Sequence, residues 1–446
     1  THIFGNPGTT EMPIMDSLLD YPDIGYILAL HESVAVCAAE AYALLSGKVG
    51  VANVHVAPGL GNAMGMLYNA KKGRSPLIVT AGQQDTRMRL REPVLHDDLA
   101  AIAAPLTKWS VQAESADELP QIMHRAFKIA QDPPRGPVFV ALPMNVMEQE
   151  TALPPLAPSG LFRAPLPDPE GVRRMADVLL GAQRPAPIVC GDGVQRSGAG
   201  AALVALAETL GAQVWEDVMA ALLNVPNGHP LYRGTLPGDH EAIRNALGDP
   251  DVVLLVGGEF FEEVWYAPGA PIPEDAAVLQ IGASPRELSH NLPVACGLLA
   301  DPRAALEALR DALGIRGDDA FRKAAAARSA AWAEAKSKEQ ARQRGRAEKT
   351  WDQRPMSPPR LMAELKALLP PEVVLVHEAI TASTDLRRTI DFTSADGYLG
   401  GRGGGIGQAL PSAIGAQVAH PGRPVVAISG DGSSLYTIQA LWSAAR

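Results

Sequence analysis

The chain has 446 residues, more than one hydrophobic core organises, so two to four domains are expected. Hydrophobic residues make up 47% and charged residues 20%, which excludes wholesale disorder; a net charge of −10 gives no pull toward nucleic acid or an anionic membrane. No apolar run is long enough to span a bilayer, and Cys37, Cys190 and Cys296 are too widely spaced for a disulfide framework, which suits a reducing cytoplasm.

In chain order, His2-Ile3-Phe4 reads as a strand entered directly from Thr1, and residues 438–446 stop inside a helical pattern, so the chain looks cut at both ends. The segment Phe4-Gly5-Asn6-Pro7-Gly8-Thr9-Thr10-Glu11 places Thr9 in a Pro-Gly turn, where it reads as an ordinary turn hydroxyl. Residues 24–30 form a short apolar run that predicts a buried strand, and Glu32 follows at once, opening a helix through Leu45. A carboxylate between a buried strand and a helix start is poorly solvated, which suits proton exchange with a bound base; the alternative is a first-turn acid favoured by the helix dipole. Residues 50–56 predict a second strand. His55 stands at its end, before an expected glycine turn Pro58-Gly59-Leu60-Gly61, as an acid–base or orienting group or as a structural histidine. Residues 77–80 and 138–142 complete the strands of this first region, and 153–165 is a proline-rich linker.

The second region offers strands at 188–190, 213–215, 252–256 and 278–281, then a charged alanine-rich helix over roughly 321–349 whose charges read as a solvated face. Gly191-Asp192-Gly193 follows the first of these strands and reads as a turn. The third region opens at Ser357, an N-cap with Pro358 at the first helical position and an apolar stripe of Leu361, Leu365, Leu368 and Leu369. Its strands are 372–378 and 425–429. Strand–helix alternation throughout predicts α/β domains with parallel sheets, the first and third being similar units.

Two glycine-rich segments of the third region carry chemistry. Gly430-Asp431-Gly432-Ser433-Ser434 follows an apolar strand, where the glycines admit a phosphate and Asp431 can hold Mg²⁺ bridging a diphosphate. Gly400-Gly401-Arg402-Gly403-Gly404-Gly405-Ile406-Gly407 never satisfies G-x-G-x-x-G, which argues against a dinucleotide fingerprint. It suggests backbone pressed against a flat ligand with Ile406 as a rigid apolar prop, or a plain structural turn.

Together these segments resemble the thiamin-diphosphate-dependent decarboxylase and acetolactate synthase family, and within it the benzoylformate decarboxylases. The resemblance rests on Phe4 to Gly8, Tyr26 to Leu30, Gly61-Asn62-Ala63-Met64-Gly65 and Ser75 to Gln84. It implies three doubly wound α/β domains: a pyrimidine-binding domain at 1–152, a central domain at 166–335 and a diphosphate-binding domain at 355–446, the last truncated. It implies thiamin diphosphate and Mg²⁺ as cofactors and non-oxidative decarboxylation of an aromatic 2-oxo acid to an aldehyde. Glu32 would hydrogen-bond the aminopyrimidine, Gly404 would receive its amino group, and Ile406 would hold the cofactor bent. Thr381, Gly430, Gly432 and Ser433 would contact the diphosphate and Asp431 the metal, while His55 and Thr9 would handle the substrate carboxylate. The family builds each site from two subunits, so a homodimer or homotetramer is implied, with no nucleic-acid or membrane partner.

Departures from the pattern are equally specific. The Asn pair that closes the metal motif would lie beyond Arg446. Val264 stands where a second active-site histidine is expected, and Gly400 where an aromatic wall residue is expected, which enlarges the pocket. Arg87, Arg89, Arg91 and His96 form a basic loop that reads as plain surface or, if functional, favours a larger or more anionic substrate. The alternatives are a carboligase or 2-hydroxyacyl lyase of the same family and a non-catalytic subunit; FAD in the central domain has no support in the sequence.

Overall fold

The computed structural model describes residues 1–160 and 165–446. The first region is a six-stranded sheet of β1 (His2–Gly5), β2 (Gly25–Leu28), β3 (Gly50–Val54), β4 (Leu77–Gln83), β5 (Trp109–Gln112) and β6 (Val138–Pro143), in the order β2-β1-β3-β4-β6-β5. Every pairing in it is parallel. Helices α1 (Glu32–Ser46) and α2 (Val56–Gly73) provide crossovers, as parallel strands require. The central strands β3, β4 and β6 are apolar and almost wholly buried, the signature of a parallel sheet covered on both faces. The strand expected to be buried before Glu32 is instead the edge strand β2, and Leu28 and Leu30 are exposed. An apolar run reports strand tendency but not position in the sheet.

The second sheet contains β7 (Ile188–Cys190), β8 (Val214–Glu216), β9 (Tyr232–Thr235), β10 (Val252–Val256), β11 (Ala277–Gly282) and β12 (Cys296–Leu299), ordered β12-β11-β10-β7-β8-β9 and again all parallel. The long helix α3 (Asp319–Lys349) follows, with only Ala325 and Ala347 buried along it, which fits the solvated face expected of its charges. Helix α4 (Pro358–Leu368) starts as expected, with Ser357 Oγ accepting from Arg360 N. Its leucine stripe does not form the buried face: Leu361 and Leu368 are exposed, and Met362 and Pro359 turn inward. The third sheet is β13 (Val374–Glu378), β14 (Tyr398–Gly400) and β15 (Val425–Ser429), ordered β14-β13-β15. Helix α5 (Ala409–Ala419) precedes β15, and the short helix α6 (Asp431–Tyr436) follows it.

Packing divides the chain into two compact units. One joins the N-terminal region to Glu372–Ile380 and Leu399–Arg446. Within it α5 lies against α1 through small residues: a Cβ at Gly415 would stand 2.0 Å from the Ala38 carbonyl oxygen, and Cys37 Sγ donates to the Gln408 carbonyl. The other unit runs from beyond the linker to Pro371 and includes Thr381–Tyr398. That segment is anchored there by an ion pair of Arg387 with the buried Glu216, and by Asn227, which donates to Ile390 O and accepts from Phe392 N. The proline-rich linker expected at 153–165 is exposed and irregular over 153–160; part of it, 161–164, lies outside the described residues. Among the described residues no helix is long and apolar enough to cross a membrane.

Candidate active site

The edge of the first sheet sends the chain from β2 into α1, and His31 caps that helix, its Nδ1 accepting from Ser33 N at 3.2 Å. Glu32 is therefore the first helical residue, and it is only 5% exposed. One carboxylate oxygen accepts from Asn6 Nδ2 at 3.2 Å and the other from Asn62 Nδ2 at 3.0 Å. Two neutral amides thus orient a buried acid, consistent with poor solvation and more specific than a surface acid at a helix dipole.

His55 ends β3 and is the N-cap residue of α2. The expected glycine turn after it is absent, because Pro58 to Gly61 form the first turns of α2 itself. Glycine at 59 answers crowding rather than turning, since a Cβ there would come within 2.9 Å of Glu32 Oε1. Val56, a β-branched and fully buried residue, adopts φ +44° at the start of the helix. Such left-handed strain costs about 1–3 kcal/mol and collects where surrounding structure dictates the backbone.

His55 Nδ1 lies 2.7 Å from Glu11 Oε2. Glu11 is fully buried, and its carboxylate also accepts from Gly8 N at 2.8 Å, Gly82 N at 2.7 Å and Thr10 Oγ1 at 2.9 Å. A carboxylate only accepts, so Nδ1 carries the hydrogen and Nε2 becomes the nitrogen available to a ligand. The histidine side chain keeps 24% of its surface exposed. Thr9 is exposed in the short turn Thr9–Glu11, while its neighbour Thr10 is the hydroxyl beside His55, 3.3 Å from Nδ1.

The glycine loop before α5 is held from several sides. Gly403, Gly404 and Gly407 adopt φ of +94°, +84° and +94°, which L side chains rarely reach. Gly407 N donates to Glu378 Oε1 at 2.7 Å, Ala409 N to Glu378 Oε2 at 3.3 Å, and Thr437 Oγ1 to Gly407 O at 2.6 Å. A Cβ at Gly404 would meet nothing within 4 Å, so this backbone faces open space. Ile406 is half-buried between these anchors.

At the end of β15, Gly430 caps α6, Asp431 is exposed in its first turn and Ser433 is buried. A Cβ at Gly432 would again meet nothing, and one at Gly430 only Ser433 Oγ at 3.6 Å. Among the described residues no three His, Cys, Asp or Glu side chains gather as a metal cluster. Thr381 is exposed and packs with the second unit.

In that second unit, Asp192 of the Gly191-Asp192-Gly193 turn is buried, its carboxylate accepting from Ala221 N and Leu222 N at 3.0 Å, and Gly191 and Gly193 press against Gly257. Those contacts give the turn a structural use. Val264 is exposed, and Arg87, in the exposed turn Thr86–Arg91, pairs with Asp85.

Sequence reasoning passed over the residues that hold these groups: Glu11, Asn6, Asn62, Asn69 and Glu378. Asn6, Glu11 and Asn62 stand in the segments that drew notice, but their partners lie far away in sequence. For Asn69 the available signal is a polar residue inside the buried stripe of an amphipathic helix.

Comparison with known proteins matches three family descriptions in order. They are the N-terminal TPP binding domain of thiamine pyrophosphate enzymes over residues 1–103, the central domain over 172–309, and the C-terminal TPP binding domain over 381–446. The benzoylformate decarboxylase of Pseudomonas aeruginosa is 34% identical over 450 residues, covering 100% of this chain and 81% of that protein. The acetolactate synthase large subunit of Lactococcus lactis is 28% identical over 446 residues, covering 98% of this chain and 75% of that protein. The crystal structure of benzoylformate decarboxylase from Polynucleobacter necessarius superimposes with a TM-score of 0.84 at 27% identity, covering 99% of this chain and 80% of that one.

Proposed function

Since the chain belongs to the thiamine pyrophosphate enzyme family, we propose that it is a thiamin diphosphate- and Mg²⁺-dependent decarboxylase converting an aromatic 2-oxo acid to its aldehyde. Its residues fit the cofactor. The open space at Gly404 and Gly432, and the loose contact at Gly430, leave backbone free to approach a flat ring and a phosphate. Asp431 supplies one carboxylate, and Mg²⁺ is commonly held by one or two carboxylates together with phosphate oxygens. Ser433 supplies a hydroxyl for the diphosphate, and Ile406 an apolar surface for the rings.

Thiamin diphosphate, when bound, supplies the electron sink that lets a 2-oxo acid lose carbon dioxide. Glu32, held by Asn6 and Asn62, is the carboxyl that would hold or release a proton toward the aminopyrimidine of the bound cofactor. His55, its Nδ1 hydrogen held by Glu11, would face the substrate carboxylate through Nε2; only when that nitrogen is protonated as well could it donate to the carboxylate and then pass the Nε2 proton to the carbon that carbon dioxide leaves. Thr9 contributes an exposed hydroxyl at the same turn.

The observation that carries this reading is the buried Glu32, oriented by two amides in a chain 34% identical over its whole length to a benzoylformate decarboxylase. Its test is carbon dioxide release from benzoylformate by the full-length protein with saturating thiamin diphosphate and Mg²⁺. Release that vanishes in Glu32→Gln supports it; tight cofactor binding without release removes benzoylformate as the substrate. A second reading is carboligation, favoured by the likeness to acetolactate synthase and by glycine at position 400, where the family resemblance expects an aromatic wall residue. Product analysis with an added aldehyde separates the two.

A homodimer or homotetramer is part of the proposal, as the family resemblance implies. A reducing cytoplasm suits the three free cysteines.

A further inference from the structure

Asn69 is fully buried on the apolar face of α2, among Met66, Leu67 and Ala70. Burying an amide is costly unless its donors and acceptor are used. Here they grip a single residue of the glycine loop: Asn69 Nδ2 donates to Gly405 O at 2.9 Å, and Asn69 Oδ1 accepts from Gly405 N at 3.0 Å. This two-point grip fixes the rotation of the peptide units on either side of Gly405, as a neighbouring strand would. It also explains two glycines. A Cβ at Gly403 would stand 2.5 Å from Asn69 Oδ1, and one at Gly405 2.9 Å from it, whereas one at Gly404 meets nothing. The loop is therefore pressed onto Asn69 at 403 and 405 and turned outward at 404. Asn62, which holds Glu32, stands seven residues earlier, two turns along the same helix and nearly the same face.

We propose that Asn69 is a positioning residue that sets the conformation of the cofactor loop, placing Gly404 and Ile406, which flank the gripped Gly405, to receive thiamin diphosphate. This rests on the cofactor reading above. Asn69→Asp keeps an acceptor for Gly405 N but sets an oxygen against Gly405 O; Asn69→Ala removes both contacts.

The test measures binding of thiamin diphosphate, with Mg²⁺, to the full-length protein by calorimetry, together with the near-ultraviolet circular dichroism of the bound cofactor. Residue-resolved hydrogen exchange of the apoprotein completes it. The expected result is at least tenfold weaker binding in both variants and an altered cofactor band. Loss of Gly405 amide protection should be confined to residues 401–407. Binding within twofold of the original with an unchanged band, in either variant that folds, overturns the proposal. So does a Gly405 amide in the unsubstituted protein that exchanges as fast as that of Gly404, a result that needs no variant to fold. Failure of the unsubstituted protein to bind thiamin diphosphate, with Gly405 protected, overturns the functional reading instead and leaves the grip itself established.

Discussion

Replacing Glu11 by Gln changes one atom's chemistry in a site where geometry leaves that change no place to go. Oε1 accepts from Gly82 N and Thr10 Oγ1, and Oε2 accepts from Gly8 N and His55 Nδ1. Hydroxyl and imidazole can exchange donor for acceptor, but a backbone N–H cannot. A Gln amide has one oxygen, so either orientation points its NH₂ at a buried backbone N–H. An unpaired buried donor costs about 1–3 kcal/mol, and weakening the surviving bonds from a charged to a neutral acceptor adds about 1 kcal/mol. The expected loss is about 3 kcal/mol, a large share of the 5–15 kcal/mol typical of a folded domain. Urea unfolding of the apoprotein, followed by circular dichroism, measures it. The same substitution lets the His55 ring settle in either tautomer, so kcat/KM on the 2-oxo acid should fall at least tenfold. A Glu11→Gln protein that unfolds within about 0.5 kcal/mol of the original would refute the claim that both oxygens are committed, since surface-like changes are that small.

Other outcomes follow from single contacts. Gly415→Ala would place a methyl 2.0 Å from the Ala38 carbonyl oxygen and force α1 and α5 apart. Overpacking of this kind costs about 1–3 kcal/mol, and a lowered thermal midpoint checks it. Cys37 and Cys190 are buried, and burial pushes both thiols well above their ordinary range, whereas Cys296 is partly exposed. A thiol reagent should therefore modify Cys296 first and the other two only on unfolding, as peptide mapping would show. Burial, helped by nearby Arg233, lowers the Lys336 ammonium to about 8 from its ordinary 10.5. Between those pH values the unfolded chain binds more protons, so this lysine adds stability as pH rises through that window. Lys336→Met should flatten that part of the stability–pH curve.

Local chemistry made much of the architecture legible. Strands β7, β10 and β15 coincide with the sequence reading, because each is an apolar run bounded by glycine, proline or polar residues. Ser357 caps α4 and Glu32 opens α1 for similarly local reasons. The motifs around Glu32, His55, Gly404 and Asp431 were visible as residue types at strand ends.

Tertiary structure decided what those residues touch. β2 is an edge strand because of sheet order, which no run of seven residues encodes. Pro58 to Gly61 form the first turns of a helix, and Glu32 of another helix occupies the space beside Gly59. Met362, not the leucine stripe, faces the core of α4, because periodicity marks an apolar flank without saying which side is covered. Glu11 meets His55 across 44 positions, and Asn69 meets Gly405 across 336. Local propensity acts over a turn or a strand, while these polar groups find partners only after β1, β3 and α5 are packed. The sequence alone thus determined which groups could do chemistry and on which kind of element each sits. Folding alone determined which buried donor answers which acceptor, because desolvation makes an unanswered one costly.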